Sequence, residues 1–222
     1  MARGKGKDED PSRLDAAATA LVSRLVDFGI DGLGPLASAA TVADAARRRH
    51  RNVEHAIDDL VSAHGKRAAA NGFVTGIGGF VTLPVALPAN IAGFYVIATR
   101  MVAGIASLRG YDLSRAEVRS AVLLTLVGAD ASSVLSKAGL NPAGRVAGLA
   151  LRRLPAPALM VLNKGIGFRL LSQVGRHGLG RLGRGIPLAG GFIGAGLDWW
   201  LLRKIADSAK SDFPSRRELT KA

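Results

Sequence analysis

From Ala68 to Thr99 the chain runs 32 residues without a charged side chain, closed on either side by Arg67 and Arg100. No other feature constrains the fold as strongly. An uncharged, mainly apolar run of this length ordinarily reads as a transmembrane helix, but Pro84 and Pro88 fall inside it. Proline in a helix interior removes a backbone hydrogen bond and clashes with the preceding turn, whereas at the first helical position it is tolerated. The run therefore predicts two helices, 68–83 and 88–99, each short of the ~20 residues that span a bilayer. The expected unit is a Gly/Pro-rich apolar helical hairpin that dips into one leaflet or lies along it. Phe73, Ile77, Phe80, Leu83, Leu87, Ile91 and Phe94 are its expected membrane contacts.

The flanking sequence is helical in pattern. Leu14, Ala18, Leu21, Val22 and Leu25 share one helical face, and Gly29–Pro35 then supplies a break. A second amphipathic pattern runs from Val42 to His64, with Val53, Ile57, Leu60, Val61 and His64 on one side. Gly110 reads as a helix stop, and Ser114 with Glu117 matches a capping box that opens a helix to about 127. Further helices are predicted at about 143–154, 158–174 and 188–209, and no segment alternates as a strand would. The fold class is all-α: one compact multi-helix domain over 13–213, with a disordered tail at 1–12 and a charged tail at 214–222. Gly72/Gly76 and Gly190/Gly194 each form G-x-x-x-G, which strips side-chain bulk from a helix face and lets another backbone come close. Together with Pro84 and Pro88 they are the expected helix-packing positions.

Charge is the second strong signal. The formal net charge is +13, and between Asp130 and Asp198 there is no acidic residue at all. Arg145, Arg152, Arg153, Arg169, Arg176, Arg181 and Arg184 fall in that interval among Leu, Val, Ile and Gly, the pattern of a surface that meets anionic lipid headgroups. Nucleic acid is the less suitable partner, because the interval offers only Phe168 and Phe192 for stacking on bases. Trp199 and Trp200, followed by Arg203-Lys204, suit a membrane interface and complete the expected membrane contacts. The chain contains no Cys, so thiolate chemistry and Cys-based metal sites are excluded. Gly178-Leu-Gly180-Arg-Leu-Gly183 matches a dinucleotide string but has no strand before it, and no phosphate-binding P-loop motif occurs. His55, Asp58 and Asp59 lie within one helical turn without a second ligand group, so neither a metal nor a cofactor is expected. The N-terminal stretch lacks a continuous signal-peptide core, which predicts a cytoplasmic protein peripheral to the inner face of the cell membrane.

The block Gly72-Phe-Val-Thr-Gly-Ile-Gly-Gly-Phe-Val-Thr-Leu-Pro-Val-Ala-Leu-Pro88, followed by Arg100, Ile105-Ala106 and Gly110-Tyr111-Asp112, resembles the signature of EcsC family proteins. Asn163-Lys164 and the later block Ile186-Pro-Leu-Ala-Gly-Gly-Phe-Ile-Gly-Ala-Gly196 fit its second half, so the resemblance covers roughly 50–213. Asp198 and the Trp pair depart from the pattern. The resemblance implies a bacterial, membrane-proximal protein and supplies no reaction. The leading expectation is a non-enzymatic helical protein on the cytoplasmic membrane face, with anionic lipid as partner and room for a membrane-protein partner. The alternative is a soluble helical domain that holds a lipid or other apolar ligand in an internal pocket. Third comes an enzyme of hydrolase-like chemistry, which requires Asn90, Tyr95, Asp130 or Asn163 to converge.

Overall fold

The computed structural model describes residues 20, 23–77, 79–127 and 187–215, with side chains except at 79–88, 127 and 187–189. Six helices account for most of these residues, and no strand occurs among them. The first, α1, covers 23–31. It continues through Gly29, where the sequence predicts a break, because the missing Cβ leaves room for the Thr99 side chain to lie against the backbone. The stop comes at Gly32, whose φ of 83° favours glycine, and Leu33 and Leu36 then exchange two backbone hydrogen bonds of 3.0 Å across a tight turn. Ser38 caps α2 (Ala39–Arg49), its hydroxyl accepting from the Thr41 N–H at 3.1 Å.

The single amphipathic stretch expected over 42–64 is two helices. His50 leaves the helical conformation, and Asn52 Oδ1 accepts from the N–H groups of Glu54 (2.8 Å) and His55 (3.4 Å), which opens α3 (Val53–Ile77). The apolar spacing carried across this junction; the cap did not.

A larger correction concerns the uncharged run. The boundary between helices falls between Ile77 and Gly79, and α4 (Gly79–Leu108) carries helical backbone through both Pro84 and Pro88. The two prolines stand four residues apart, so the N–H groups they lack would have bonded carbonyls on a single side of the helix. Consequently α4 is 30 residues long, and its Ala89–Leu108 stretch is long and apolar enough to cross a membrane by length and composition. Of that stretch, 61% is buried against the rest of the protein. It is the central core helix: Ala98, Met101, Val102, Ala103, Ile105 and Ala106 have no exposed surface. Gly110, at φ 88°, ends it as the sequence predicts, with Tyr111 N–H bonded to Ala106 O and Gly110 N–H to Ser107 O.

Helix α5 (Ala116–Val127) starts without the predicted capping box. Asp112 Oδ1 instead takes both the Ser114 N–H (2.9 Å) and its hydroxyl (2.7 Å), so the hydroxyl is turned away from the helix it was expected to cap. The last helix, α6 (Pro187–Asp212), begins at a proline, whose fixed φ suits the first helical position. Tyr111 ties the following residues to the core: its hydroxyl donates to Pro214 O at 3.0 Å and its ring meets Phe213 edge-on at 5.2 Å.

Helices α3 and α4 run antiparallel. Leu60 faces Gly104, and Asn71 faces Gly93. Helix α6 is also antiparallel to α3, with Gly65 against Trp199, Gly72 against Gly194 and Gly76 against Gly190. One end of this three-helix layer is therefore formed by the C-terminus of α3, the N-terminal half of α4 and the N-terminus of α6.

Candidate functional site

That end carries no exposed charge among the described residues, because α3 from Ala68, α4 to Thr99 and α6 to Leu197 contain none. What holds it together is backbone contact. A Cβ built on Gly72 would sit 2.5 Å from Gly194 O, one on Gly194 would sit 2.5 Å from Gly72 O, and Gly76 and Gly190 oppose each other in the same way. The structure thus brings the two G-x-x-x-G motifs face to face, at a separation that no side chain other than hydrogen permits.

Beside this seam lies a polar cluster that the sequence did not reveal. Asn71 Nδ2 donates to Asn90 Oδ1 (2.7 Å) and Asn90 O (3.0 Å), and the Thr75 hydroxyl donates to Asn90 Oδ1 (2.8 Å) and lies 2.8 Å from Asn71 O. Asp198 of α6 enters the same space. Burial pushes its carboxyl up to about 6, the Asn71 and Asn90 amides offset only part of that, and its Oδ2 has no hydrogen-bond partner. The single polar residues of an otherwise apolar run were the available signal: Asn71 and Thr75 are one helical turn apart and face the same way. Asn90, singled out as an enzymatic candidate, belongs to this cluster. Tyr95 sits five residues further along α4 with its ring against Phe94 at 6.1 Å, and Asp130 and Asn163 lie outside the described residues.

The outer surface of the same end is apolar. Val74 and Phe192 are each 69% exposed, Leu197 59% and Trp200 54%, with Ile77 and Ile193 also open. These are six of the eight exposed large hydrophobics among the described residues. On α6 the positions 192, 193, 196, 197 and 200 form one stripe, and Gly196 meets nothing within 4 Å. Cations close the stripe. Arg203 lies over the Trp199 ring at 5.5 Å and Lys204 over Trp200 at 4.3 Å, while Lys66 and Arg67 stand exposed on α3 at the level where Gly65 meets Trp199.

The expected membrane contacts divide accordingly. Ile77 and Trp200 are on the open surface; Phe73 and Ile91 are half-buried, Phe73 packing edge-on against Phe192 at 5.4 Å; Trp199 is wedged against Gly65. Phe94 is corrected: at 5% exposure it belongs to the core, because α4 turns that face toward the other helices. The side chains of Phe80, Leu83 and Leu87, and all of Arg145, Arg152, Arg153, Arg169, Arg176, Arg181 and Arg184, lie outside what is described. Sequence reasoning missed Phe192, Val74, Ile193 and Leu197, which a helical wheel of α6 paired with that of α3 would have exposed.

Among the described residues no group of three His, Asp or Glu could hold a metal ion. His55 is exposed, Asp58 pairs with Lys210 at 2.7 Å and Asp59 with Arg49 at 2.6 Å, so these acids join helices to one another. A groove of about 520 Å³ between α3 and α6 is lined by Asp58, Val61, Ser62, Arg203, Ala206, Asp207 and Lys210, a charged wall unsuited to an apolar ligand.

These features define an all-helical domain with a long central helix, a glycine seam and one apolar end. The chain belongs to the EcsC protein family, whose model matches residues 35–217. No curated protein and no solved structure matches it.

Proposed function

We propose that this protein is a non-enzymatic helical domain that associates with the cytoplasmic face of the bacterial membrane by inserting its charge-free end into one leaflet. The observation that carries the reading is the order of side chains along α3 and α6: an exposed apolar stripe, then tryptophan, then cations, which is the order of acyl chain, interface and anionic headgroup in a bilayer. Length agrees with it. From Arg67 to Ile77 the helix rises roughly 15 Å, and one leaflet contributes about half of a ~30 Å hydrocarbon core. Of the polar side chains at this end, Asn71, Thr75 and Asn90 bond to one another and Asp198 lies against the same cluster, which reduces the cost of placing them at membrane depth. The basic interval from Arg145 to Arg184 adds attraction to anionic headgroups, worth about 1 kcal/mol for each cation near the surface. An internal pocket for an apolar ligand draws no support from the charged groove between α3 and α6.

Flotation of the full-length protein with vesicles tests the reading. Binding is expected to vesicles containing phosphatidylglycerol and hardly to pure phosphatidylcholine, weakening as salt shortens the electrostatic reach below ~8 Å and on changing four of the arginines between Arg145 and Arg184 to Glu. Equal binding to neutral vesicles, or binding to neither kind, would sink it.

A further inference from the structure

Buried polar groups in folded proteins almost always find a hydrogen-bond partner, and each that finds none in the protein itself asks for one from outside it, a water or an ion. Six buried side-chain atoms among the described residues lack one, and three of the six belong to two residues on adjacent helices: Nε and Nη2 of Arg100, and Nε2 of His64. The pairs Leu60–Gly104 and Asn71–Gly93 fix the register of α3 against α4, and His64 with Arg100 falls on that same register between them. Arg100 is 5% exposed and His64 2%. Among the described residues no carboxylate compensates them. The charges that act on His64 are those of Arg67 and Arg100, and the charge that acts on Arg100 is that of Arg67, all pushing towards loss of a proton. Burial is the largest influence on both groups in the same direction, and it brings the imidazole down to about 4.

Three basic groups without an acid describe a place made for an anion. The chemistry of the donors narrows the class. Nε–H and an Nη2–H of one guanidinium point the same way and are spaced to meet two oxygens of one phosphate or carboxylate. His64 Nδ1 lies 2.8 Å from Leu60 O, a contact that requires the proton on Nδ1. Its Nε2 is then an acceptor when the ring is neutral and becomes a third donor when an anion draws a second proton onto the ring. Height along the helices indicates the source. His64 and Arg100 stand level with Gly65, against which Trp199 packs, and so at the border between the apolar end and the ring of cations.

We propose that Arg100, with His64 across the α3–α4 seam and Arg67 at its outer edge, binds the phosphate oxyanion of a single phospholipid headgroup. This deepens the membrane reading and rests on it for the source of the phosphate, while the oxyanion chemistry stands without it.

The full-length protein is titrated with dihexanoyl phosphatidylglycerol, which dissolves as monomers, and separately with inorganic phosphate; calorimetry reads binding and nitrogen NMR reads the His64 ring. The expected result is saturable binding of one short-chain lipid per chain, with protonation of His64 moved to higher pH on binding. Arg100→Gln removes the charge and Arg100→Lys keeps it without the two-pronged donor; each is expected to weaken binding about tenfold or more, and the Lys variant keeps the test open if the Gln variant does not fold. Absence of saturable binding, an unmoved His64 titration, or full affinity in Arg100→Lys overturns the proposal. Binding of inorganic phosphate with none of the lipid overturns the headgroup assignment. Vesicle flotation is read alongside: its failure would remove the membrane reading, whereas saturable short-chain binding would still support the Arg100 site.

Discussion

The two ends of the three-helix layer are built by opposite means. At the end holding the start of α3 and the close of α4 and α6, side chains of opposite charge bridge the helices: Arg109 reaches Glu54 (2.9 Å) and Lys210 reaches Asp58 (2.7 Å). At the other end no ion pair occurs among the described residues. Helices there are held by glycine backbones in contact and by an inward amide network, while the apolar side chains face out. The difference shows that the apolar end is held mainly by its inward-facing backbone and amide contacts, which leaves Val74, Leu197 and Trp200 on an exposed apolar patch.

The largest effect that could break this comparison comes from putting charge on the open stripe. Phe192→Asp combined with Leu197→Asp is expected to abolish flotation on anionic vesicles, since a carboxylate at membrane depth costs roughly 2.5–3.5 kcal/mol each. Stability in solution should fall by no more than about 0.5–1.5 kcal/mol, the worth of the edge-on Phe73–Phe192 contact, because both side chains are otherwise largely exposed. Flotation that survives the double substitution would move the membrane contact away from this face.

The seam gives the next largest effect, and it carries its own control. Gly72→Ala and Gly194→Ala each drive a methyl into an opposing backbone, which cannot yield as a side chain would, so a loss of about 1–3 kcal/mol is expected from urea unfolding. Gly196→Ala meets nothing within 4 Å and should raise stability by about 0.5–1 kcal/mol through helix propensity alone. Similar responses at the two positions would mean that the glycines contribute flexibility and not close approach.

How far the sequence revealed these ends depends on which physical rule governed each part. Helical periodicity locates α1 and supports the all-α class, because burial on one face repeats with the helix itself, while the Gly110 stop locates the start of α5. Glycine spacing named all four residues of the seam, since a backbone contact needs its small residues at the period of the helix. The hairpin boundary differs from the sequence expectation for a specific reason: Pro84 and Pro88 read as stops, yet the helix only has to forgo two bonds on one side, and α4 continues past both. The junction at His50–Asn52 was hidden because the apolar register happens to continue over a three-residue interruption. Asn71, Asn90 and Asp198 come from three separate helices, and only the tertiary register unites them.

A smaller effect comes from pH. His64 titrates near 4 in the folded chain against 6.5 when unfolded, so the unfolded state takes up a proton first and stability falls as pH drops from about 6.5 to 4. Asp198 acts in the opposite sense: its carboxyl titrates near 6 folded and 3.8 unfolded, so it favours the folded state at low pH and that contribution is lost as pH rises from about 3.8 to 6. The two slopes oppose each other in the wild type. Asp198→Asn should therefore stabilise the protein at pH 7 by about 1–3 kcal/mol and should steepen its loss of stability below pH 6. A variant that is no more stable at neutral pH would show that Asp198 is well satisfied in its cluster.

The smallest effect belongs to the charged end. Lys210 and Asp58 form a short ion pair, but the Asp58 side chain is 64% exposed, so water and salt screen most of the attraction. Ordering two mobile side chains costs much of what remains. Lys210→Ala is expected to cost no more than about 0.5–1 kcal/mol, and the cost should shrink further at high salt. Flotation should stay unchanged, because Lys210 lies on the far side of Arg203 and Lys204 from the apolar stripe, roughly 9–10 Å further along α6. A loss of flotation in Lys210→Ala would mean that the membrane-facing surface extends past the ring of cations and onto the end built from ion pairs.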